Sequence, residues 1–170
     1  MNYFELFEIK ETLLPDIRLI KTKFYELSRK YHPDFFTGAG EAEQQLALEK
    51  SALLNKAFKT FSNKQETIKY VLQLKGLLEE EEKFALPNDF LMEMMELNEL
   101  VMDAKMENNR ATFDELHKTI HNIEIDIYEP VKEIVEHSES HFPAKEELLQ
   151  VKKYYYQQQY LQRMKSLLEK

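Results

Sequence analysis

The sequence predicts an all-α protein, built as an antiparallel helical hairpin followed by a three-helix bundle. Helix breakers are scarce, with Gly 3 and Pro 5 in 170 residues, whereas Leu, Glu, Lys and Gln are abundant and favour helix. Apolar residues recur at spacings of three and four along most of the chain, which is the period of an amphipathic helix. A hydrophobic content of 43% is compatible with packed cores, and the length suits one ordinary domain or two small ones.

Asn2 and Glu5 have the spacing of a capping box and predict a short first helix over Tyr3-Phe4-Glu5-Leu6-Phe7. A second helix begins near Pro15, where Ile17, Ile20, Phe24, Leu27 and Tyr31 share one face. Pro33 ends it, because proline disfavours helical geometry in the residue before it. Beyond the loop from His32 to Gly40, a third helix is expected from about Glu41 to Phe61, with Leu46, Leu53, Leu54, Ala57, Phe58 and Phe61 as its stripe. These two helices must pair antiparallel. A shorter amphipathic stretch through Ile68, Val71 and Leu72 leads to Gly76, a plausible C-cap.

The predicted domains are residues 1–76 and 87–170, with the acidic run in 77–86 as a linker. The second domain should contain helices over about 89–107, 111–138 and 144–169, three long elements that suggest a bundle. Pro130 lies inside the continuous stripe Phe113, Leu116, Ile120, Ile123, Ile127, Val131, Ile134, so the middle helix is expected to kink there rather than end.

Charge separates the two parts. Residues 1–76 carry 12 basic and 10 acidic side chains, and residues 77–170 carry 11 and 21, within a net charge of −8. An acidic half repels phosphate backbones, so nucleic acid is not an expected partner. No stretch reaches the roughly 20 apolar residues of a membrane span, and the acid-containing start shows no signal peptide, which leads to a cytoplasmic expectation and no membrane partner. Without Cys there is no disulfide, thiolate metal site or Cys nucleophile.

At about 100° per residue, Arg18, Lys21, Tyr25 and Arg29 fall opposite the apolar stripe of the second helix and form a basic strip. Such a strip is either a solvated face or a partner site. Tyr31-His32-Pro33-Asp34 stands beside it, at the tip of the hairpin. Alone, His-Pro-Asp reads as a helix stop with a local turn. Together with the Tyr-Phe-x-Leu-Phe helix before it and Asn-Lys-Ala-Phe-x-x-Phe after it, it resembles the J-domain family. That resemblance implies that His32, Pro33 and Asp34 touch a DnaK-type 70-kDa heat-shock chaperone and promote ATP hydrolysis there. J-domains often place Lys after the Asp, whereas this chain has Phe35-Phe36.

The helix from Asp89 is too apolar for one stripe. Phe90, Met94, Leu97 and Val101 project within about 60° of one another, enough for docking in a bundle, and Leu91, Met95, Met102 and Met106 lie on a second face with Met92 and Glu99 at its margin. That face is either sandwiched between neighbours or left open to a protein partner, for which flexible Met is suited. The segment Phe90-Leu91-Met92-Glu93, Met95-Glu96-Leu97, Glu99-Leu100 extends the resemblance to the HscB family of iron–sulfur-assembly co-chaperones. It implies that Leu91, Met92, Met95, Glu96 and Glu99 dock the IscU-like scaffold protein on which clusters are assembled, with an HscA-type chaperone as the other partner. It also implies an aromatic near the last helix. Tyr154, Tyr155 and Tyr156 fit, with Tyr155 the candidate contact, although Tyr can equally anchor a bundle.

Enzyme and metal readings are weaker. His117 and His121 share a helix face, but Lys118 stands where the metalloprotease motif needs Glu. His32 and Asp34 have no nucleophile signature or phosphate loop to complete a site. The expectation is a non-catalytic co-chaperone without metal or cofactor, with a general J-protein that delivers unfolded chains as the rival reading.

Overall fold

The computed structural model describes residues 1–169 and is helical, with no strand among them. Its α-helices are α1 (Tyr3–Phe7), α2 (Ile17–Lys30), α3 (Glu41–Phe61), α4 (Lys64–Leu74), α5 (Asn88–Glu107), α6 (Arg110–Tyr128), α7 (Lys132–Glu136) and α8 (Lys145–Glu169). The chain divides into two compact units, one of residues 1–74 with 135–142, the other of residues 75–134 with 143 onward.

In the first unit, α1 begins with the capping box in place: the Asn2 side chain accepts from the Glu5 N–H at 2.9 Å, and Glu5 accepts from the Asn2 N–H at 3.0 Å. Asp16 caps α2 by accepting from the Arg18 N–H at 2.9 Å. α2 and α3 pair through Ile20, Leu27, Ala47, Leu54 and Ala57 in the core, with Phe24 stacked on Phe58 at 4.2 Å. Phe4 and Phe7 close the base against Phe61, at 5.1 and 5.3 Å between ring centroids. α4 ends two residues before Gly76, whose φ of 71° is the left-handed conformation that ends helices.

Two residues of the expected stripes are corrected. Ile17 and Leu46 are exposed. The buried series on α3 is 47, 54, 57 and 61, and Leu46 is about 100° around the helix from Ala47, the buried residue at its own level. Small Ala47 takes that position and lets the helices close. Ile17 is the first residue of α2.

Residues 135–142 are joined to the first unit by a fully assignable proton network. The buried Ser138 hydroxyl donates its one hydrogen to the Val135 carbonyl at 2.7 Å. It must therefore accept in its other bonds, from the Leu13 N–H at 2.8 Å and from the Thr12 hydroxyl at 3.0 Å. Thr12 in turn accepts from the Leu14 N–H at 3.1 Å.

In the second unit, α5, α6 and α8 surround a core that includes Phe90, Met94, Leu97, Val101, Leu116, Ile120, Leu161 and Met164. α6 does not continue unchanged through Pro130. The chain passes through a tight 3₁₀ turn over Glu129–Val131 and resumes as α7, because proline lacks the N–H of the α-helical ladder and its ring clashes with the carbonyl four residues back. Tyr128, Glu129 and Lys132 all keep right-handed helical dihedrals.

Residues 77–86, expected as a linker, are tied down. Leu78 is buried. Glu82 accepts from Lys152 Nζ and from the Tyr156 hydroxyl, each at 2.9 Å, and Phe84 stacks on Tyr156 at 4.7 Å with ring planes 7° apart. The Lys152 hydrogen bond, assisted by Tyr156, holds the Glu82 carboxyl below its ordinary range despite partial burial. Burial, and then the bond to Glu82, pushes the Tyr156 phenol up to about 12.

Two predictions follow from these contacts. Ser138→Ala removes one donated and two accepted hydrogen bonds from a buried network and should cost about 2 kcal/mol, measured as a lower unfolding midpoint, with faster hydrogen exchange at the Leu13 amide. For Glu82, the folded pKa is depressed, so its contribution is complete above the unfolded value and is lost as pH falls through the folded one. Tyr156 acts at the other end: its contribution is lost as pH climbs from the ordinary phenol value of 10.0 toward about 12. Stability measured against pH should therefore lose part of its acid limb in Glu82→Gln while keeping its neutral plateau nearly flat.

Candidate functional site

The corner of the hairpin is shaped by one local conflict. His32 precedes proline and takes φ −64° and ψ 130°, an extended conformation, so α2 cannot continue. Pro33 then opens a 3₁₀ turn, Pro33–Phe36, for which its fixed φ and missing N–H are suited. His32 Nδ1 accepts the Asp34 N–H at 3.2 Å, and the His32 carbonyl accepts the Phe35 N–H at 3.0 Å. An accepting Nδ1 places the ring proton of neutral His32 on Nε2. The loop is fastened to α3 by Gln44, whose amide donates to the Thr37 and Ala39 carbonyls at 3.3 and 3.1 Å.

Tyr31, half-buried, anchors the corner from below. Lys50 of α3 lies over its ring at 4.7 Å and reaches its hydroxyl at 3.4 Å. His32, Pro33 and Asp34 are exposed.

Arg18, Lys21, Tyr25 and Arg29 are exposed along the outer side of α2. A shallow groove runs between that side and the corner, lined by Tyr25, Ser28, Arg29, His32, Asp34 and Phe35. Four of the residues expected at this site are thus brought together there. Arg18 and Lys21 stand nearer the start of α2, outside the groove. Ser28 and Phe35 complete its lining; their part was not legible from helix spacing, since Ser28 is unremarkable in sequence and Phe35 reads equally as a packing residue.

The second candidate surface lies on α5. With Phe90, Met94, Leu97, Val101 and Ala104 buried, the far side must face away from the bundle. Met92 and Met95 are 64% and 65% exposed, and Leu91 is half-buried. Glu96 and Glu99 are exposed beside them, and Met102 and Met106 prolong the apolar surface toward the end of the helix. The surface is a methionine strip with one carboxylate flank.

Tyr155 does not join that surface. It is only 7% exposed, with its ring edge-on to Tyr156 at 5.3 Å, and Tyr154 is buried with its ring 5.4 Å from Tyr128. Tyr156 is half-buried and occupied by Glu82. All three tyrosines serve packing, which the aromatic character of α8 on several sides demands.

Fold and surfaces together define a two-part helical protein of the J type, with an exposed His-Pro-Asp corner on one unit and a helical bundle as the other. Residues 86–169 match the family model described as the HSCB C-terminal oligomerisation domain. The co-chaperone protein HscB of Buchnera aphidicola is 35% identical over 122 residues, which cover 71% of this chain and 70% of that protein. The HscB homolog of Shewanella halifaxensis is 37% identical over 106 residues, 62% of this chain, and the match spans 61% of that relative's length. This chain belongs to the HscB family of co-chaperones. Solved structures share its fold: chaperone HscB from Vibrio cholerae, with a TM-score of 0.74 at 24% identity, covering 99% of this chain and 96% of that one, and human co-chaperone protein HscB, with 0.81 at 22% identity, covering 99% and 81%.

Proposed function

We propose that this protein is a non-catalytic co-chaperone of iron–sulfur cluster assembly. Its hairpin corner stimulates ATP hydrolysis in a DnaK/HscA-type 70-kDa chaperone, and the outer side of α5 holds an IscU-like scaffold protein. The observation that carries the reading is the pair of exposed surfaces of different chemistry, one on each compact unit: a solvent-open His-Pro-Asp corner beside cations, and methionines beside carboxylates.

The cations on α2 favour an acidic partner and accelerate encounter, while the rigid corner supplies the contact that shifts the chaperone's conformational cycle. Methionine side chains on α5 adapt to an apolar client patch, and Glu96 and Glu99 select a client with basic residues at its margin. Carrying both sites on one chain raises the effective concentration of client at the chaperone.

The length of the apolar strip, which reaches Met106, favours a second reading, in which α5 receives assorted unfolded polypeptides as in a general J-protein. Pull-downs with purified folded scaffold and with reduced, unfolded model proteins separate the two.

His32→Gln retains an acceptor for the Asp34 N–H and should leave folding and scaffold binding unchanged while steady-state ATPase stimulation disappears. Preserved stimulation refutes the role assigned to the corner. The triple change Leu91→Ala, Met92→Ala, Met95→Ala should behave in the opposite sense, weakening scaffold binding by roughly 30-fold or more in calorimetric titration. An unaltered affinity rejects the client surface.

A further inference from the structure

Phe35 is a large apolar side chain left 73% accessible at the corner, directly after Asp34. Its neighbour Phe36 is half-buried. The backbone of Phe35 is fixed by its bond to the His32 carbonyl, 3.0 Å, and its ring meets the His32 ring edge-on at 6.3 Å and 80°. Phe35 therefore projects from a held turn, into the groove that also includes Tyr25 and Arg29.

The fold itself makes little use of this ring. A satisfied core residue is enclosed, and Phe4 and Phe7 of the same unit are almost wholly so. Arg29 shares the groove with Phe35, together with Asp34, and Arg18 and Lys21 continue the cations along α2 outside it; among the described residues all three cations are exposed and none has an ion-pair partner. An aromatic beside unpaired cations fits a partner surface with an apolar recess edged by carboxylates.

We infer that Phe35 is a recognition residue that enters such a recess on the 70-kDa chaperone and sets the affinity of the encounter, apart from the stimulation that His32, Pro33 and Asp34 cause. This inference rests on the chaperone reading above. The lysine that J-domains often carry at this position would lengthen the cationic strip and bind by Coulomb attraction, which salt screens. Phenylalanine replaces that attraction with apolar burial, which moderate salt leaves largely intact.

The test is a titration of chaperone steady-state ATPase with the full-length wild type, Phe35→Ala, Phe35→Lys and His32→Gln, at two salt concentrations. Unfolding midpoints of all four are measured in parallel, and those of the Phe35 variants should match wild type. Phe35→Ala should raise the half-maximal concentration roughly tenfold, the effect of truncating a contact worth one decade in affinity, with the maximal stimulation within about twofold of wild type. Phe35→Lys should bind with a steeper salt dependence than wild type. An unchanged half-maximal concentration for Phe35→Ala overturns the inference, as does a lost maximum at unchanged half-maximal concentration, which would make Phe35 a positioning residue for His32. A salt dependence of Phe35→Lys no steeper than wild type overturns it as well. Failure of the chaperone reading looks different: wild type then gives no stimulation, or His32→Gln retains all of it.

Discussion

The incompatibility between a helical residue and a following proline governs the corner of the α2–α3 hairpin. The backbone leaves the helix at Tyr31, is extended at His32, and Pro33 then restarts the chain as a 3₁₀ turn. Two of the last carbonyls of α2 are met locally, Leu27 by the Tyr31 N–H at 3.0 Å and Arg29 by the His32 N–H at 3.5 Å. Tyr31 below the corner and Gln44 beside it remove its freedom. A short segment without a buried side chain is in this way held in one shape while remaining open to a partner.

On α5 the controlling quantity is the width of the apolar surface. A helix in a three-helix bundle can bury one broad stripe, and Phe90, Met94, Leu97, Val101 and Ala104 fill it. Every further apolar residue must then remain at the surface or recruit another element. The described helices of this unit leave Met92, Met95, Met102 and Met106 at the surface, an arrangement that costs solubility unless acidic neighbours offset it. Glu93, Glu96, Glu99 and Asp103 supply those acids on the same helix.

The helices themselves were legible because their signals are local. Asn2 and Glu5 encode a cap within four residues, Pro33 and Gly76 mark ends, and the span of α3 follows from its flanks. The candidate surfaces were legible in outline, since helical phase alone puts Arg18 and Arg29 opposite Ile20 and Leu27, and Met95 away from Met94. Contacts remote in sequence were not. The Thr12–Ser138 bond joins residues 126 positions apart, and the Glu82–Tyr156 bond residues 74 apart; neither leaves a periodic trace. Tyr155 failed for a related reason: α8 carries buried side chains around much of its circumference, including Gln157 and Gln158, so phase could not choose among three adjacent tyrosines.

The thioethers of Met92, Met95, Met102 and Met106 stand in solvent, and this gives the α5 surface a chemical vulnerability absent from leucine or isoleucine. Oxidation of any of them to the sulfoxide would exchange an adaptable apolar end for a strongly polar, chiral one. The helix would persist, because Met94 and the other buried residues are shielded, but the strip would become a row of hydrogen-bond acceptors. The exposed side of α5 would then carry a chemical record of oxidant exposure.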